Sequence, residues 1–235
     1  MKRFYKTVAV EPAEGGWRVL LDTRGIRTAG GHPQIVPSRD LAEAMADEWE
    51  AQGPEIDSTA FVLRDMTDFT IDVVASDRTG TIRDLLPYAE TDTLCYRAEP
   101  EEAFHQRQLE VWEPLIIDAE ARWGVRFERI GGVMHRPQPT ATIDRMETLL
   151  AEKSDFDLAA LNTLASLAAS LVIAMAALMP GADAEALWNA ANLEEDWQIA
   201  LWGEDYEAAE RRAKRFKAFA SAMRFAMLAK EPVRD

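Results

Sequence analysis

The segment Thr7–Leu21, TVAVEPAEGGWRVLL, decides how the chain begins to fold. Thr7–Val10 and Trp17–Leu21 contain residues that favour strands, and the glycine pair between them is a turn signal, so the segment predicts a β-hairpin. Two further turn signals follow, and a short strand is predicted at Gln34–Val36.

Two helices are expected after these strands. Ser38 can cap a helix whose apolar residues, from Leu41 to Trp49, recur at helical spacing. A second helix carries apolar residues from Leu63 to Val73 along one face. The hairpin, the short strand and the two helices together form a small α+β unit.

The pattern changes near Thr79, after which strand signals nearly vanish. The predicted helices are Pro100–Arg122 (with Pro114 expected to kink or restart it), Thr140–Glu152, Phe156–Met179, Ala184–Trp202 and Asp205–Lys230. We therefore predict an α+β protein with a small N-terminal α+β domain at residues 1–78 and a larger C-terminal α-helical bundle domain at residues 79–235.

The stretch Leu158–Met179 contains no charged residue and raises the question of a membrane span. It is rich in alanine, which contributes little to insertion, and acidic residues flank it on both sides. Ser154 and Asp157 also form the pattern of a capping box at its start. We interpret the stretch as a buried central helix and predict no membrane span.

Charge and cysteine content limit the partners and the compartment. The chain has 26 Lys and Arg against 41 Asp and Glu, a formal charge of −15, which argues against nucleic acid and anionic membranes as partners. The single cysteine, Cys95, favours a reducing compartment. No secretory signal or transit peptide is seen at the N-terminus, so a cytoplasmic, soluble protein is expected.

No familiar catalytic signature occurs in the sequence. His32, His105 and His135 lie far apart, without metal-ligand spacing, and no phosphate-binding glycine motif is present. We therefore predict no metal, no cofactor and no bound nucleotide. Adjacent acidic residues such as Glu101-Glu102 are explained by a solvated surface, although a carboxylate pair in an interdomain cleft keeps an enzyme as an alternative.

A basic cluster at Arg211–Lys217 has two interpretations. Glu207 precedes Arg211 by four residues and Glu210 precedes Lys214 by four, the favourable order for ion pairs on a helix. The opposite side would then be an apolar core stripe, made of Ala209, Ala213, Phe216, Ala220, Met223 and Met227. A salt-bridged amphipathic helix is favoured, and a docking patch for an acidic partner stays open.

The segment Leu193–Asp205, LEEDWQIALWGED, places carboxylates beside two indoles. One interpretation is that the tryptophans fill the core and the acids cap the next helix. The other is an aromatic and acidic binding surface, because Trp is enriched at interface hot spots. The candidate partner-binding residues are Glu194, Glu195, Trp197, Gln198, Trp202, Gly203 and Glu204.

Several motifs recur in the order of a known family. They are Arg3–Lys6, Leu41-Ala42 through Glu48-Trp49 with Gln52, Tyr88, Thr91–Thr93, Cys95–Arg97, Gln108, Trp112–Leu115 and Leu193–Glu204. The chain thereby resembles the chaperones that assemble the catalytic head of F-type ATP synthase, in particular those that guard its α subunit in mitochondria and α-proteobacteria. Thr23 and Asp118 depart from the family pattern, where Gly and Trp are usual.

The resemblance implies an assembly chaperone and not an enzyme. It implies that the chain binds the unassembled α subunit and shields its β-subunit interface until assembly. It further implies that a glutamate in the Leu193–Glu204 segment is functional, and Glu194 and Glu195 match equally well. A permanent structural subunit is a second alternative, beside the enzyme.

Overall fold

A computed structural model of the protein describes residues 1–132, 135–203 and 205–230. Among these, the strands are β1 Val8–Ala13, β2 Gly16–Leu21, β3 Arg24–Gly25, β4 Tyr96–Arg97 and β5 Ile130–Gly131. The α-helices are α1 Arg39–Glu50, α2 Val62–Phe69, α3 Arg78–Leu85, α4 Pro87–Glu90, α5 Ala103–Trp123, α6 Thr140–Ala151, α7 Asp155–Ala168, α8 Leu171–Ala177, α9 Ala184–Ala191, α10 Leu193–Trp202 and α11 Tyr206–Leu228. The predicted α+β class is confirmed.

Two compact units make up the chain. The first comprises Met1–Arg78, Ser154–Ala160 and the segment that begins at Arg224, and the second comprises Thr79–Lys153 and Leu161–Met223. The division into two domains at residues 78 and 79 stays a prediction. No helix among the described residues has both the length and the apolar character that crossing a bilayer requires.

The predicted hairpin is confirmed, because β1 and β2 pair antiparallel with Val10 opposite Val19, and β3 adds to the edge of β2. Gly16 is required at the turn, since a Cβ there would lie 2.2 Å from the carbonyl oxygen of Val36. The predicted strand Gln34–Val36 is wrong. Only isolated bridges, such as Trp17 with Val36, form there among the described residues, and Pro33 and Pro37 at its two ends lack the N–H that a ladder needs.

The helix α1 packs against this sheet. The Ser38 hydroxyl accepts a hydrogen bond from the Leu41 N–H, so the predicted cap is confirmed, and Leu41, Met45 and Trp49 are buried. Their burial joins the sheet and α1 in one core with Tyr5, whose hydroxyl donates to the carbonyl oxygen of Trp49 at 2.6 Å.

The second predicted helix changes its geometry before it ends. After α2, Thr70–Val74 forms a π-helical turn in which the Ala75 N–H reaches the carbonyl oxygen of Thr70. The wider turn rotates the apolar face, so Val74 is buried whereas the predicted face residue Val73 is 47% exposed.

The predicted central helix Phe156–Met179 is two helices, α7 and α8. Ala169 between them has a positive φ of 49°, and Ser170 caps α8 by accepting from the Ile173 N–H at 3.0 Å. The Ser154 half of the predicted capping box is confirmed, since the Ser154 hydroxyl accepts from the Asp157 N–H at 3.0 Å. The Asp157 carboxylate accepts from the Ser154 hydroxyl at 3.0 Å. Most of the uncharged residues are buried.

The predicted helix Ala184–Trp202 is also two helices, α9 and α10. Asn192 between them leaves the helical conformation, with φ −108° and ψ 21°, and its side-chain Nδ2 donates to the carbonyl oxygen of Trp188 at 2.8 Å. Asn side chains compete with backbone donors in this way, which ends α9. The helix α5, by contrast, is continuous through Pro114, so the expected restart of the helix at this proline is wrong.

The helix α11 confirms the predicted ion pairs, with Arg211 3.6 Å from Glu207 and Lys214 2.8 Å from Glu210. The predicted core stripe is out of register. Ala213 and Met227 are exposed, and the buried residues of α11 are Phe219, Ala222, Phe225 and Ala226.

Candidate partner-binding surface

The helix α10 carries most of the candidate residues and begins with an acidic first turn, Glu194, Glu195 and Asp196. Negative charge is favourable there because the first N–H groups of a helix give its N-terminus a partial positive charge. Glu194 is exposed and Glu195 is half-buried. The Gln198 amide approaches the Glu194 carboxylate at 3.5 Å.

One side of α10 packs inward. Leu193 is buried, and the half-buried Trp197 ring lies 5.5 Å from the ring of Phe104, which in turn meets Trp112 edge-on at 6.2 Å. The Trp112 indole N–H donates to the carbonyl oxygen of Ala190 at 2.8 Å. Trp197 therefore acts as a packing residue that anchors α10.

An ion pair and a cavity lie beside this packed side. The Asp196 carboxylate pairs with the guanidinium of Arg212, which connects α10 to α11. A cavity of about 450 Å³ adjoins the pair and is also lined by Arg107, Leu193 and Trp197.

The other side of α10 and the start of α11 expose large apolar groups. Trp202 is 78% exposed, Leu201 59% and Tyr206 81%. Isolated exposed apolar residues are ordinary on a protein, but three large ones within six positions form a patch of the kind that marks protein–protein interaction sites. We call Glu194, Gln198, Leu201, Trp202 and Tyr206 the α10 surface.

Gly203 sets the break between α10 and α11. Its φ of 90° and ψ of 165° belong to a region that only glycine adopts readily. Its N–H still donates to the carbonyl oxygen of Ile199 at 2.8 Å, and Asp205 begins α11 by accepting from the Glu207 N–H at 3.0 Å. Gly203 is therefore a conformational residue, and Glu204 lies outside the described residues.

The structure separates the candidate residues into distinct roles. It brings Glu194, Gln198 and Trp202 to the exposed side of α10, while Trp197 packs inward and Glu195 is half-buried. Tyr206 was not among the candidates from sequence. Its exposure could have been predicted from its position just after Gly203, because an aromatic residue in the first turn of a helix has few neighbouring residues to cover it.

Most of the basic cluster is engaged in contacts within the second unit. Besides the two ion pairs of α11, Arg212 pairs with Asp196, and Arg215 donates to the carbonyl oxygen of Leu167 at 2.8 Å and lies over the Trp188 ring. These contacts confirm the salt-bridged helix as the interpretation of the cluster.

A partly buried ionic network explains several of the other family-like residues. The Arg97 guanidinium donates to the carbonyl oxygen of Gln108 at 3.0 Å and to the Glu113 carboxylate at 2.9 Å, and it lies over the Trp112 ring. Arg129 donates to the same carboxylate at 2.7 Å, and this bond holds the pKa of Glu113 below its usual value. These residues build the scaffold of the second unit.

The Asp92 and Cys95 side chains are both fully buried in the second unit. Burial raises the pKa of Asp92 to about 6 despite several hydrogen bonds to the carboxylate, and burial likewise raises the pKa of the Cys95 thiol. Within residues 1–132, 135–203 and 205–230, no group of three His, Cys, Asp or Glu side chains is placed to hold a metal ion.

Comparison with known proteins places this scaffold among chaperones. The sequence model of the family described as ATP12 chaperone protein matches residues 2–120. The crystal structure of Atp12 from Paracoccus denitrificans superposes with a TM-score of 0.93 at 34% identity, over 97% of this chain and 98% of that one. A variant of that protein with one aspartate changed to lysine matches equally well.

A third solved structure extends the comparison to another bacterium. The Atu1473 protein of Agrobacterium tumefaciens, provisionally described as a chaperone, has a TM-score of 0.92 and 38% identity. The match covers 97% of this chain and 86% of that one.

Proposed function

The chain belongs to the ATP12 chaperone family, and we propose that it binds the unassembled α subunit of F-type ATP synthase through the α10 surface. In this proposal the chain covers the part of the α subunit that later meets the β subunit. The observation that carries the site is the exposure of Trp202 and its apolar neighbours beside an acidic helical turn.

The composition of the α10 surface suits a temporary contact. Trp202, Leu201 and Tyr206 supply apolar area to cover an interface that would otherwise aggregate. Glu194 and Gln198 supply polar groups at the rim, where hydrogen bonds and charge set the orientation more than the affinity. A chain that binds through such a mixed patch can be displaced from the α subunit by the β subunit, which makes a larger and more complementary contact.

The acidic turn suggests which glutamate contacts the partner. Glu194 is exposed and lies on the same side as Gln198, whereas Glu195 is half-buried. We therefore propose Glu194 as the acidic contact. The charge of −15 keeps the free chaperone soluble, and the buried single cysteine, Cys95, suits a reducing compartment such as the cytoplasm.

Aggregation during refolding tests the proposed function. Purified α subunit is refolded by dilution with and without the chain while light scattering is followed. We expect suppressed scattering, a complex that co-elutes on size exclusion, and release when the β subunit is added. Scattering unchanged at micromolar chain concentration, with no co-eluting complex, would contradict the proposal.

A matched pair of variants tests the proposed surface. Trp202→Ala and Ile117→Ala each remove an exposed apolar side chain of a helix in the second unit, and Ile117 is 54% exposed. We expect Trp202→Ala to weaken capture of the α subunit by roughly 30-fold, the effect of a hot-spot residue, and Ile117→Ala to leave it within about twofold. Equal effects of the two variants would place the contact elsewhere.

A further inference from the structure

A cavity of about 670 Å³ lies in the first unit, beside the outer strand β3. Its apolar lining includes Phe4, Leu21, Ile26 and Trp49. Phe4 is 62% exposed although it is a large aromatic residue. The volume is within the range of pockets that bind small ligands or side chains.

Three guanidinium groups line the same cavity, which we call the arginine pocket. The Arg24 side chain has no hydrogen bond or ion pair with any described residue. Arg27 donates to the neutral carbonyl oxygen of Gly31 at 2.7 Å, and Arg64 pairs with the adjacent Asp65 at 2.8 Å. A local excess of positive charge on a chain of charge −15 indicates an anionic ligand.

Among the described residues of the lining, the single carboxylate is already engaged. Asp22 accepts hydrogen bonds from the backbone N–H groups of Lys6 and Thr7, at 2.9 and 3.0 Å. These bonds lower the pKa of Asp22, so it stays ionised and tied to the start of β1. The guanidinium groups of Arg24 and Arg27 are therefore available to pair with a carboxylate of a ligand.

The strand beside the pocket favours an extended ligand. β3 is the last strand of the sheet ordered β1-β2-β3, and both of its residues, Arg24 and Gly25, are exposed and line the pocket. An outer strand can pair with an added strand, which supplies main-chain hydrogen bonds while side-chain pockets give selectivity. The free stretch is short here, because directly after Gly25 the Gln34 N–H donates to the carbonyl oxygen of Ile26 and Arg27 bridges Pro33.

We propose that the arginine pocket binds an extended peptide segment in which an aromatic or large apolar side chain is followed by a carboxylate. The apolar side chain contacts Phe4 and Trp49, and the carboxylate meets Arg24 and Arg27. The chemistry of this ligand follows from the residues that line the pocket and is independent of the proposed function. Only the assignment of the segment to an unassembled client chain rests on the proposed function.

Synthetic peptides test the ligand chemistry on the full chain. Three blocked pentapeptides, acetyl-Gly-Thr-Phe-Glu-Gly-amide and its counterparts with Gln or Lys in place of Glu, are titrated while amide NMR signals are recorded. We expect the Glu peptide to bind about fivefold more tightly than the Gln peptide, and the Lys peptide to bind most weakly. Signals of Phe4, Gly25 and Ile26 are expected to shift most.

Variants assign the selectivity to the pocket. Arg24→Ala is expected to reduce binding of the Glu peptide about fivefold and to leave the Gln peptide unchanged. Arg39→Ala is the matched control, because Arg39 is an exposed arginine of the same unit that pairs with Glu43 and does not line the pocket. Arg39→Ala is expected to leave all three peptides unchanged.

Several outcomes would overturn the proposal. Equal affinities for the three peptides, or no binding at millimolar concentration, would do so. An equal loss of affinity for the Glu peptide in Arg24→Ala and Arg39→Ala would also contradict it. In a control titration with acetate, the same signal shifts as with the peptides would show that the pocket binds a carboxylate without recognising the peptide. Capture of the α subunit is measured in parallel. Failed capture with intact selectivity for the Glu peptide would refute the client assignment and support the ligand chemistry.

Discussion

The Asp92 carboxylate accepts a hydrogen bond at 2.9 Å from the backbone N–H of Val172, which follows 80 positions later in the chain. Its other oxygen accepts from the Leu94 N–H at 3.0 Å. Next to it, the Thr93 hydroxyl donates to the carbonyl oxygen of Ala169 at 2.8 Å. The contacts with Val172 and Ala169 satisfy polar groups that the break between α7 and α8 would otherwise leave unpaired, and so they fix the position of the break.

The stability of the chain should therefore depend on pH through Asp92. Its pKa of about 6 in the folded chain exceeds the usual 3.8, so the folded state binds the proton more tightly than the unfolded state. This contribution to the free energy of unfolding is fully present below pH 4 and is lost as the pH rises to about 6. At roughly 1.4 kcal/mol for each pH unit, the loss is about 3 kcal/mol.

The variant Asp92→Asn isolates this effect, because the amide does not titrate. Urea unfolding of both proteins from pH 4 to pH 7 gives the difference in their free energies of unfolding. We expect the wild type to lose about 3 kcal/mol relative to Asp92→Asn over this range. A constant difference would show that Asp92 does not bind its proton more tightly in the folded chain.

The two tryptophans of α10 should respond differently to truncation. Trp197→Ala removes the packing against Phe104 and is expected to lower the free energy of unfolding by about 2–3 kcal/mol. Trp202→Ala removes a side chain that is 78% exposed and is expected to change it by less than about 0.5 kcal/mol. Chemical denaturation measures both, and the opposite order would contradict the assignment of inner and outer sides.

Charge reversal at Glu194 and Glu195 separates the two candidate glutamates. Both residues lie in the first turn of α10, so a lysine at either position should disturb the helix equally, by about 0.3–1 kcal/mol. We expect Glu194→Lys to weaken capture of the α subunit roughly five- to tenfold and Glu195→Lys to weaken it less. Size exclusion or fluorescence titration measures the affinities. If Glu195→Lys has the larger effect, Glu195 is the acidic contact instead.

Gly203→Ala should strain the connection that positions Trp202 and Tyr206. A φ of 90° with a ψ of 165° is unfavourable for any residue with a Cβ, although no atom lies within 4 Å of the added group. We expect a loss of about 1–3 kcal/mol in stability together with weaker capture. Gly53→Ala is the control because its φ is ordinary, and it should lose less than about 0.5 kcal/mol. Equal stabilities of the two variants would refute the strain.

Local sequence signals predicted the elements that depend on neighbours in the chain. The hairpin at residues 7–21, the Ser38 cap and the Glu210–Lys214 ion pair are all local in this sense, and all are confirmed. Local signals could not predict the break at Ala169, because part of its stabilisation comes from Asp92, which is distant in the sequence. The region around it is uncharged and rich in helix formers, which predicts a continuous helix.

Local sequence signals also predicted the candidate site only in part. The composition of Leu193–Asp205 indicated an unusual segment, but the sequence did not show which tryptophan packs inward. That choice depends on Phe104, about ninety positions earlier, and on the end of α9 at Asn192. In α11, regular periodicity placed Met227 in the core, whereas Phe225, which stacks on Phe156, and Ala226 are the buried residues there.

Photocrosslinking tests the proposed contact most directly. A benzoylphenylalanine is placed at Tyr206, which is 81% exposed, or at Ile117 as the control, and each protein is irradiated with freshly diluted α subunit. We expect a crosslink to the α subunit from position 206, little from position 117, and loss of the crosslink when the β subunit is added. A crosslink from position 117 alone, or none that β displaces, would contradict it.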